Sequence, residues 1–239
     1  MGQAYFITGT GTDIGKTIVT SFLYKILSNT GLKVAICKPF QTGYKEEIQG
    51  YPDIHWFESK LGVFNSGIYQ LTPETSPHLA IRLTNQAVDK QVVITRIKEL
   101  EKEFDIVLVE GAGGLAVPLI EEETGFYMTK DLIKDADIPI IIVSTSGLGA
   151  IHHTATTFSY AKTHGLCVKG LIFNQFDKKS DIHQDNIRTI EKLVDASLLA
   201  CLPTFSDIDQ DLTSYIENLM SNQHFITPLQ EVFGYAIHK

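Results

Sequence analysis

A chain of 239 residues with 44 % hydrophobic and 20 % charged side chains has the apolar material for a large buried core, which excludes intrinsic disorder. Its net charge of −8 argues against nucleic acid or an anionic membrane surface as the main partner. The longest apolar run, IPIIIV at 138–143, is too short to span a bilayer, and no basic region followed by a long apolar stretch opens the chain.

Along the chain, short β-branched runs alternate with segments of helical period. AYFIT (4–8) reads as a strand. KTIVTSFLYKILSNT (16–30) puts Ile18, Phe22, Leu23, Ile26 and Leu27 on one helical face and closes at Gly31. KVAICK (33–38) is the next strand, cut by Pro39. A less regular stretch follows, with helices expected near 53–61 and 91–103. Apolar strands then recur at DIVLVE (105–110), IPIIIVS (138–144), LCVKGLIFN (166–174) and SLLACLP (197–203). Helices are expected near 129–135, 149–164, 182–194 and 209–220. Residues 221–239 have weak periodicity and receive no assignment.

Strands without hydrophobic alternation are buried on both faces, which predicts a mostly parallel β-sheet with helices on both sides and right-handed crossovers. No linker or repeat interrupts the pattern, so residues 1–239 read as a single α/β domain. The cysteines, Cys37, Cys167 and Cys201, are odd in number, far apart and set in apolar strand-like contexts. They are expected to be small buried hydrophobes of a cytoplasmic protein.

Three clusters carry chemistry. GTGTDIGKT (9–17) joins the first strand to the first helix and ends as a phosphate-binding loop (P-loop) does, in Gly15, Lys16 and Thr17. Backbone N–H groups and a helix N-terminus converge there on an anion, Lys16 reaches the outer phosphates, and the Thr17 hydroxyl is placed to ligate Mg²⁺. The usual glycine five places before Gly15 is missing; Thr10 stands there, and Gly9 is one residue too early. The second cluster, DIVLVEGAGG (105–114), ends an apolar strand in Glu110, which can hold Mg²⁺ or its water. Gly111, Gly113 and Gly114 let the backbone pass close to a ligand. The third, KPFQTGY (38–44), offers Lys38 at a strand's carboxyl end, facing the same crevice as Lys16. Two lysines on one triphosphate favour an enzyme over a passive binder. The adjacent His152 and His153 point about 100° apart on a helix and make a poor chelating pair; His55 and His78 are isolated.

Taken with Asp53, YQLTPETSPHLA, VEGAGGLAVPL, SGLGAIHHT, Asn174 and Pro203, these clusters resemble the dethiobiotin synthetases, a P-loop family, from about residue 4 to 220 in consistent order. In that family the loop carries one extra residue before GKT, so the displaced glycine is a family feature. The resemblance implies a Mg²⁺-dependent ligase that uses ATP and CO₂ to convert 7,8-diaminopelargonic acid into a cyclic urea. It implies catalytic roles for Lys16, Lys38 and Thr12. It also implies nucleotide binding by Asp13, Ile14, Gly15, Lys16, Thr17, Ile18, Glu110, Gly113, Asn174 and Pro203, with Asn174 reading the adenine edge. Thr17, Asp53 and Glu110 would surround the metal. Thr42, where serine is common, and Gly149, Ala150, Ile151 and His152 would meet the substrate, the last four across a homodimer interface. Gly11 and Asp13 depart from the acids usual in the loop, and His152 replaces a usual asparagine. A partition-type ATPase would need a signature lysine within residues 9–12, which are Gly, Thr, Gly and Thr. A corrinoid-amidating ligase would need a further amidotransferase domain.

Overall fold

The structure is a computed structural model and describes residues 2–221 and 223–234. Its strands are β1 (Gln3–Gly9), β2 (Val34–Thr42), β3 (Gly67–Leu71), β4 (Ile106–Gly114), β5 (Pro118–Glu122), β6 (Gly125–Met128), β7 (Ile140–Thr145), β8 (Val168–Asn174) and β9 (Leu198–Cys201). Its helices are α1 (Lys16–Ser28), α2 (Pro52–Leu61), α3 (Pro77–Thr84), α4 (Lys90–Glu103), α5 (Thr129–Asp135), α6 (Ala150–Thr163), α7 (Asp181–Leu193), α8 (Ile208–Met220) and α9 (Gln223–Phe233).

β1 is buried at every residue after Gln3, so it has no solvent face and must lie inside the sheet. It pairs in parallel with β4 on one side and β7 on the other. The sheet runs β3-β2-β4-β1-β7-β8-β9, and all its pairings are parallel. The chain leaves β1 to one side through β2 and β3 and to the other through β7, β8 and β9. The carboxyl end of β1 is therefore a topological switch point, where open parallel sheets bind ligand.

Two hydrophobic layers hold helices to the sheet. On one face Val19, Phe22, Leu23 and Ile26 of α1 and Ile216 of α8 pack on Ile7, Leu108, Val143 and Ile172. On the other, Val93 and Ile97 of α4, Leu132 of α5, Phe158 of α6 and Ile187 of α7 pack on Phe6, Val107, Ile142 and Phe173. Each such large side chain, fully buried, contributes about 1.5–3 kcal/mol.

The expected strands and long helices are present, with four corrections. Pro39 does not end β2, which continues to Thr42. β2 pairs with β4 only through Cys37, and from Lys38 it pairs with β3, Lys38 N–H donating to Ser66 O at 2.7 Å. The missing N–H of Pro39 falls on the side where β4 has already been left behind. β3, α3 and the antiparallel β5–β6 hairpin occupy stretches with no assigned element; β3 is an edge strand that is mostly half-exposed, which blurs its pattern. The segment 221–239 contains α9, while residues 222 and 235–239 lie outside the described residues. Finally, of the three cysteines only Cys37 is buried; Cys201 is half-buried and Cys167 exposed. Cys167 precedes β8, where burial alternates between Leu166 and Gly170 because that end of the strand is covered on one face only. No helix among the described residues is long and apolar enough to cross a membrane.

Candidate active site

β1 ends at Gly9 and α1 begins at Lys16, so residues 10–15 form a turn on the carboxyl edge of the sheet. Steric constraint accounts for the glycine at each end of this turn, Gly9 closing β1 and Gly15 opening α1. Gly15 caps α1 at φ +88°, and a Cβ there would lie 1.9 Å from Asn174 Nδ2. A Cβ at Gly9 would meet Ile14 Cδ1 at 2.6 Å. Asp13 also sits in the left-handed region, at φ +56°, a conformation that aspartate tolerates better than most residues.

Thr10, in the place of the standard glycine, anchors the loop. Its N–H donates to Val143 O at 2.9 Å and its hydroxyl to Ser144 Oγ at 3.2 Å. Ser144 Oγ also accepts from Thr154 Oγ1 at 2.9 Å, so three hydroxyls join the phosphate loop to α6.

The charges meet below this loop. Lys38 is 2 % exposed, with Nζ 2.5 Å from Asp53 Oδ2 and 2.8 Å from Glu110 Oε1. Glu110 is fully buried, and its Oε2 accepts from Thr20 Oγ1 at 2.6 Å. Thr17 Oγ1 lies 3.0 Å from Asp53 Oδ1 and 3.1 Å from Glu110 Oε1; having one proton, it donates to one of them at a time. Lys16 Nζ donates to Gly11 O at 3.2 Å.

The two lysines differ electrostatically. Burial, and then repulsion from Lys38, lower the pKa of Lys16. Burial alone would also lower that of Lys38, but the charges and hydrogen bonds of Glu110 and Asp53 outweigh it and hold the pKa above the ordinary lysine value. Burial would raise Asp53; Lys38 and the Thr17 hydroxyl overcome it and hold Asp53 below the usual carboxylate range. Lys38 is thus a firm cation, and an arriving anion would favour the charged form of Lys16.

Thr17, Asp53 and Glu110, the expected metal residues, do converge. Their hard oxygen set with two carboxylates suits Mg²⁺, which takes its remaining ligands from phosphate oxygens and water. Among the described residues no group of three or more His, Cys, Asp or Glu could hold a metal by itself. A cleft of about 680 Å³ gathers Thr12, Asp13, Gly15, Lys16, Thr17, Ile18, Lys38, Thr42, Asp53 and Gly113. Ile14 and Asn174 lie behind the loop, where the Asn174 amide donates to Ile14 O at 3.1 Å. Pro203 lines a separate cavity of about 1300 Å³ between the loop after β8, β9 and α8. Gly149, Ala150, Ile151 and His152 open α6 and do not line the cleft of this single chain; the neighbouring Leu148 is 98 % exposed.

Reasoning from sequence did not single out Glu74, Thr75, Ser76 and Pro77, which close the cleft from the turn before α3. Their stretch, PETSP, stands within the quoted YQLTPETSPHLA, and that motif was the available signal. Glu74 Oε2 also bridges to Lys45 Nζ at 2.5 Å.

This sheet, loop and cleft define an α/β nucleotide-binding protein of the phosphate-loop class. A model of the AAA domain family matches residues 3–211. A chain of the Aquifex aeolicus MinC:MinD cell division protein complex shares the fold at a TM-score of 0.60 and 15 % identity, over 100 % of this chain and 98 % of that one. Relatives nearer in sequence are more specific. The chain is 50 % identical, over 99 % of its length and 100 % of the relative's, to the ATP-dependent dethiobiotin synthetase of Geobacillus sp. (strain WCH70). It is 42 % identical over the same shares to that of Geobacillus kaustophilus (strain HTA426). The chain belongs to the dethiobiotin synthetase family and is an enzyme.

Proposed function

We propose that the chain uses ATP to carboxylate 7,8-diaminopelargonic acid with CO₂ and to close the cyclic urea of dethiobiotin, working in the cytoplasm as a homodimer. The observation that carries this reading is the meeting of Lys16, Lys38, Thr12, Thr42, Thr17 and Asp53 in one cleft, with the buried Glu110 bonded to Lys38 and Thr17 behind it.

One amine of the substrate adds to CO₂ and loses a proton, giving a carbamate. A carbamate is a poor acylating agent because its oxygen leaves badly. Its oxygen therefore attacks the γ-phosphorus of ATP, the bond to ADP breaks, and a carbamic–phosphoric mixed anhydride results. The second amine attacks the carbamoyl carbon, phosphate leaves, and the ring closes. Bound Mg²⁺ would neutralise phosphate charge, held by Thr17, Asp53 and Glu110.

The chain's own groups supply position and charge. Lys38 faces the carbamate and the transferring phosphoryl group from below, already cationic. Lys16 follows the β- and γ-phosphates once it leaves the Gly11 carbonyl. The hydroxyls of Thr12 and Thr42 donate to carbamate and γ-phosphate oxygens. Losing one such positioned donor removes about 3–4 kcal/mol of transition-state stabilisation. Asn174 and Pro203 serve the nucleotide base. The substrate's carboxylate meets residues 149–152 of the partner subunit, a reading supported by their position outside the single-chain cleft and by the exposure of Leu148.

The test is a product assay with diaminopelargonate, bicarbonate and Mg-ATP: dethiobiotin, ADP and phosphate should form in equal amounts. ATP turnover indifferent to the diamino acid would sink the assignment.

A further inference from the structure

We infer that His183 is a positioning residue that ties the turn before α6 to the loop after β8, holding the nucleotide end of the chain's own site in register with the segment it offers to the substrate across the homodimer. This rests on the reading above, in which 149–152 serve the substrate and Asn174 and Pro203 the nucleotide.

His183 lies in the first turn of α7 and is half-buried. Its Nδ1 is 2.9 Å from Ser146 Oγ and 3.3 Å from the Asp177 backbone nitrogen. A backbone N–H can only donate, so Nδ1 is the acceptor and the proton of the neutral ring sits on Nε2. Ser146 is fully buried and lies three residues before Gly149, the N-cap of α6. Asp177 lies three residues after Asn174, in a loop pinned at its other edge by the Phe176 N–H to Leu202 O at 2.8 Å, beside Pro203.

A second grip comes from the same helix face. Asn186, three residues on, donates from Nδ2 to Ser146 O at 2.9 Å and to Gly147 O at 2.8 Å. A Cβ at Gly147 would come within 3.4 Å of His183 Nε2, so glycine there lets the ring close on the turn. Because Asn174 is itself bonded to Ile14 O, a continuous series of contacts runs from the phosphate loop through Asp177, His183 and Ser146 to α6. His183 is the member of that series whose side chain touches both loops at one atom.

Two substitutions separate positioning from mere support. His183→Ala removes the shared acceptor, whereas His183→Asn supplies an Oδ1 acceptor close to the place of Nδ1. In the wild-type chain, adding Mg-ADP should slow amide exchange at residues 146–150 as well as in the phosphate loop. In His183→Ala the phosphate loop should keep its protection while 146–150 lose the slowing. The KM for the diamino acid should rise roughly five- to tenfold, the worth of one hydrogen bond, with kcat changed less. His183→Asn should restore both readouts. The inference is overturned if 146–150 do not respond to Mg-ADP in the wild-type chain, or still respond in His183→Ala. It is equally overturned if Asn restores the melting temperature but neither readout. A wild-type chain that forms no dethiobiotin would remove the proposed reaction, and the exchange experiment would still decide whether the tie exists.

Discussion

Replacing Lys38 with methionine keeps the length and most of the volume of the side chain and removes its charge. Glu110 is fully buried and would lose the salt bridge to Lys38, retaining Thr20 and Thr17 as donors. Removing one member of a buried ion pair costs on the order of 3–5 kcal/mol; the surviving hydroxyl bonds argue for the lower end, about 3 kcal/mol. Against a total stability of roughly 5–15 kcal/mol, that is a large fraction. With a denaturant slope near 3 kcal/mol/M in urea, the unfolding midpoint should fall by about 1 M at neutral pH. The pH dependence has a defined sign. Asp53 is held below its ordinary range and Lys38 above its own. The stabilisation from Asp53 is therefore complete above the usual carboxylate pKa, about 3.9, and is lost as the pH falls through the lowered value. That from Lys38 is complete below the ordinary lysine value and is lost only as the pH rises through its raised one. The gap between wild type and Lys38→Met should be widest at neutral pH and close on strong acidification. Turnover should fall by about 10²–10³, while nucleotide affinity changes far less. An unchanged midpoint in urea would refute the buried-charge argument. Equal losses of nucleotide affinity and turnover would show Lys38 to be a nucleotide ligand alone.

Two further outcomes are expected. Thr10→Val, which keeps the shape and removes the hydroxyl bonded to Ser144, should cost about 1 kcal/mol and lower the melting temperature by roughly 2–4 °C, with Thr10→Ser restoring it. A valine variant melting with the wild type would show the contact to be incidental. By light scattering the chain should have about twice its mass of 26.6 kDa, and Leu148→Asp should halve that value. A wild-type monomer would refute the dimer.

The parts of the fold legible in the sequence are those buried on both faces. DIVLVE and IPIIIVS have no alternation to misread, and Gly15-Lys16-Thr17 marks the switch from strand to helix. What escaped is what tertiary contact decides. β3 is legible only once β2 is known to leave β4 at Cys37, since its own residues are half-exposed. Pro39 carries a true local rule, no ladder donor, but the rule has no force at a place where the ladder has already changed sides. In the site, Lys16, Lys38 and Glu110 were legible because their chemistry is tied to strand ends and the first loop, whereas Asp53, in the first turn of α2, came into view only through the family resemblance. Ser144, Thr154 and His183 were not legible. A serine, a threonine and a histidine look ordinary until residues far apart in sequence, such as Thr10 and Ser144, come within hydrogen-bonding distance.

The change of partner at Pro39 has a consequence beyond strand length. Past Cys37 the sheet is unzipped between β2 and β4, and Lys38 stands at the fork of that seam. Its ammonium stitches the gap, to Glu110 and, at 3.3 Å, to Gly111 O on the far side. The same atom that faces the reacting phosphoryl group in the proposed mechanism is a rivet of the scaffold. A position with both duties has little freedom to drift: a replacement must satisfy the chemistry and close the seam at once. Even arginine, longer and forked, would have to reach past a fully enclosed carboxylate to do so.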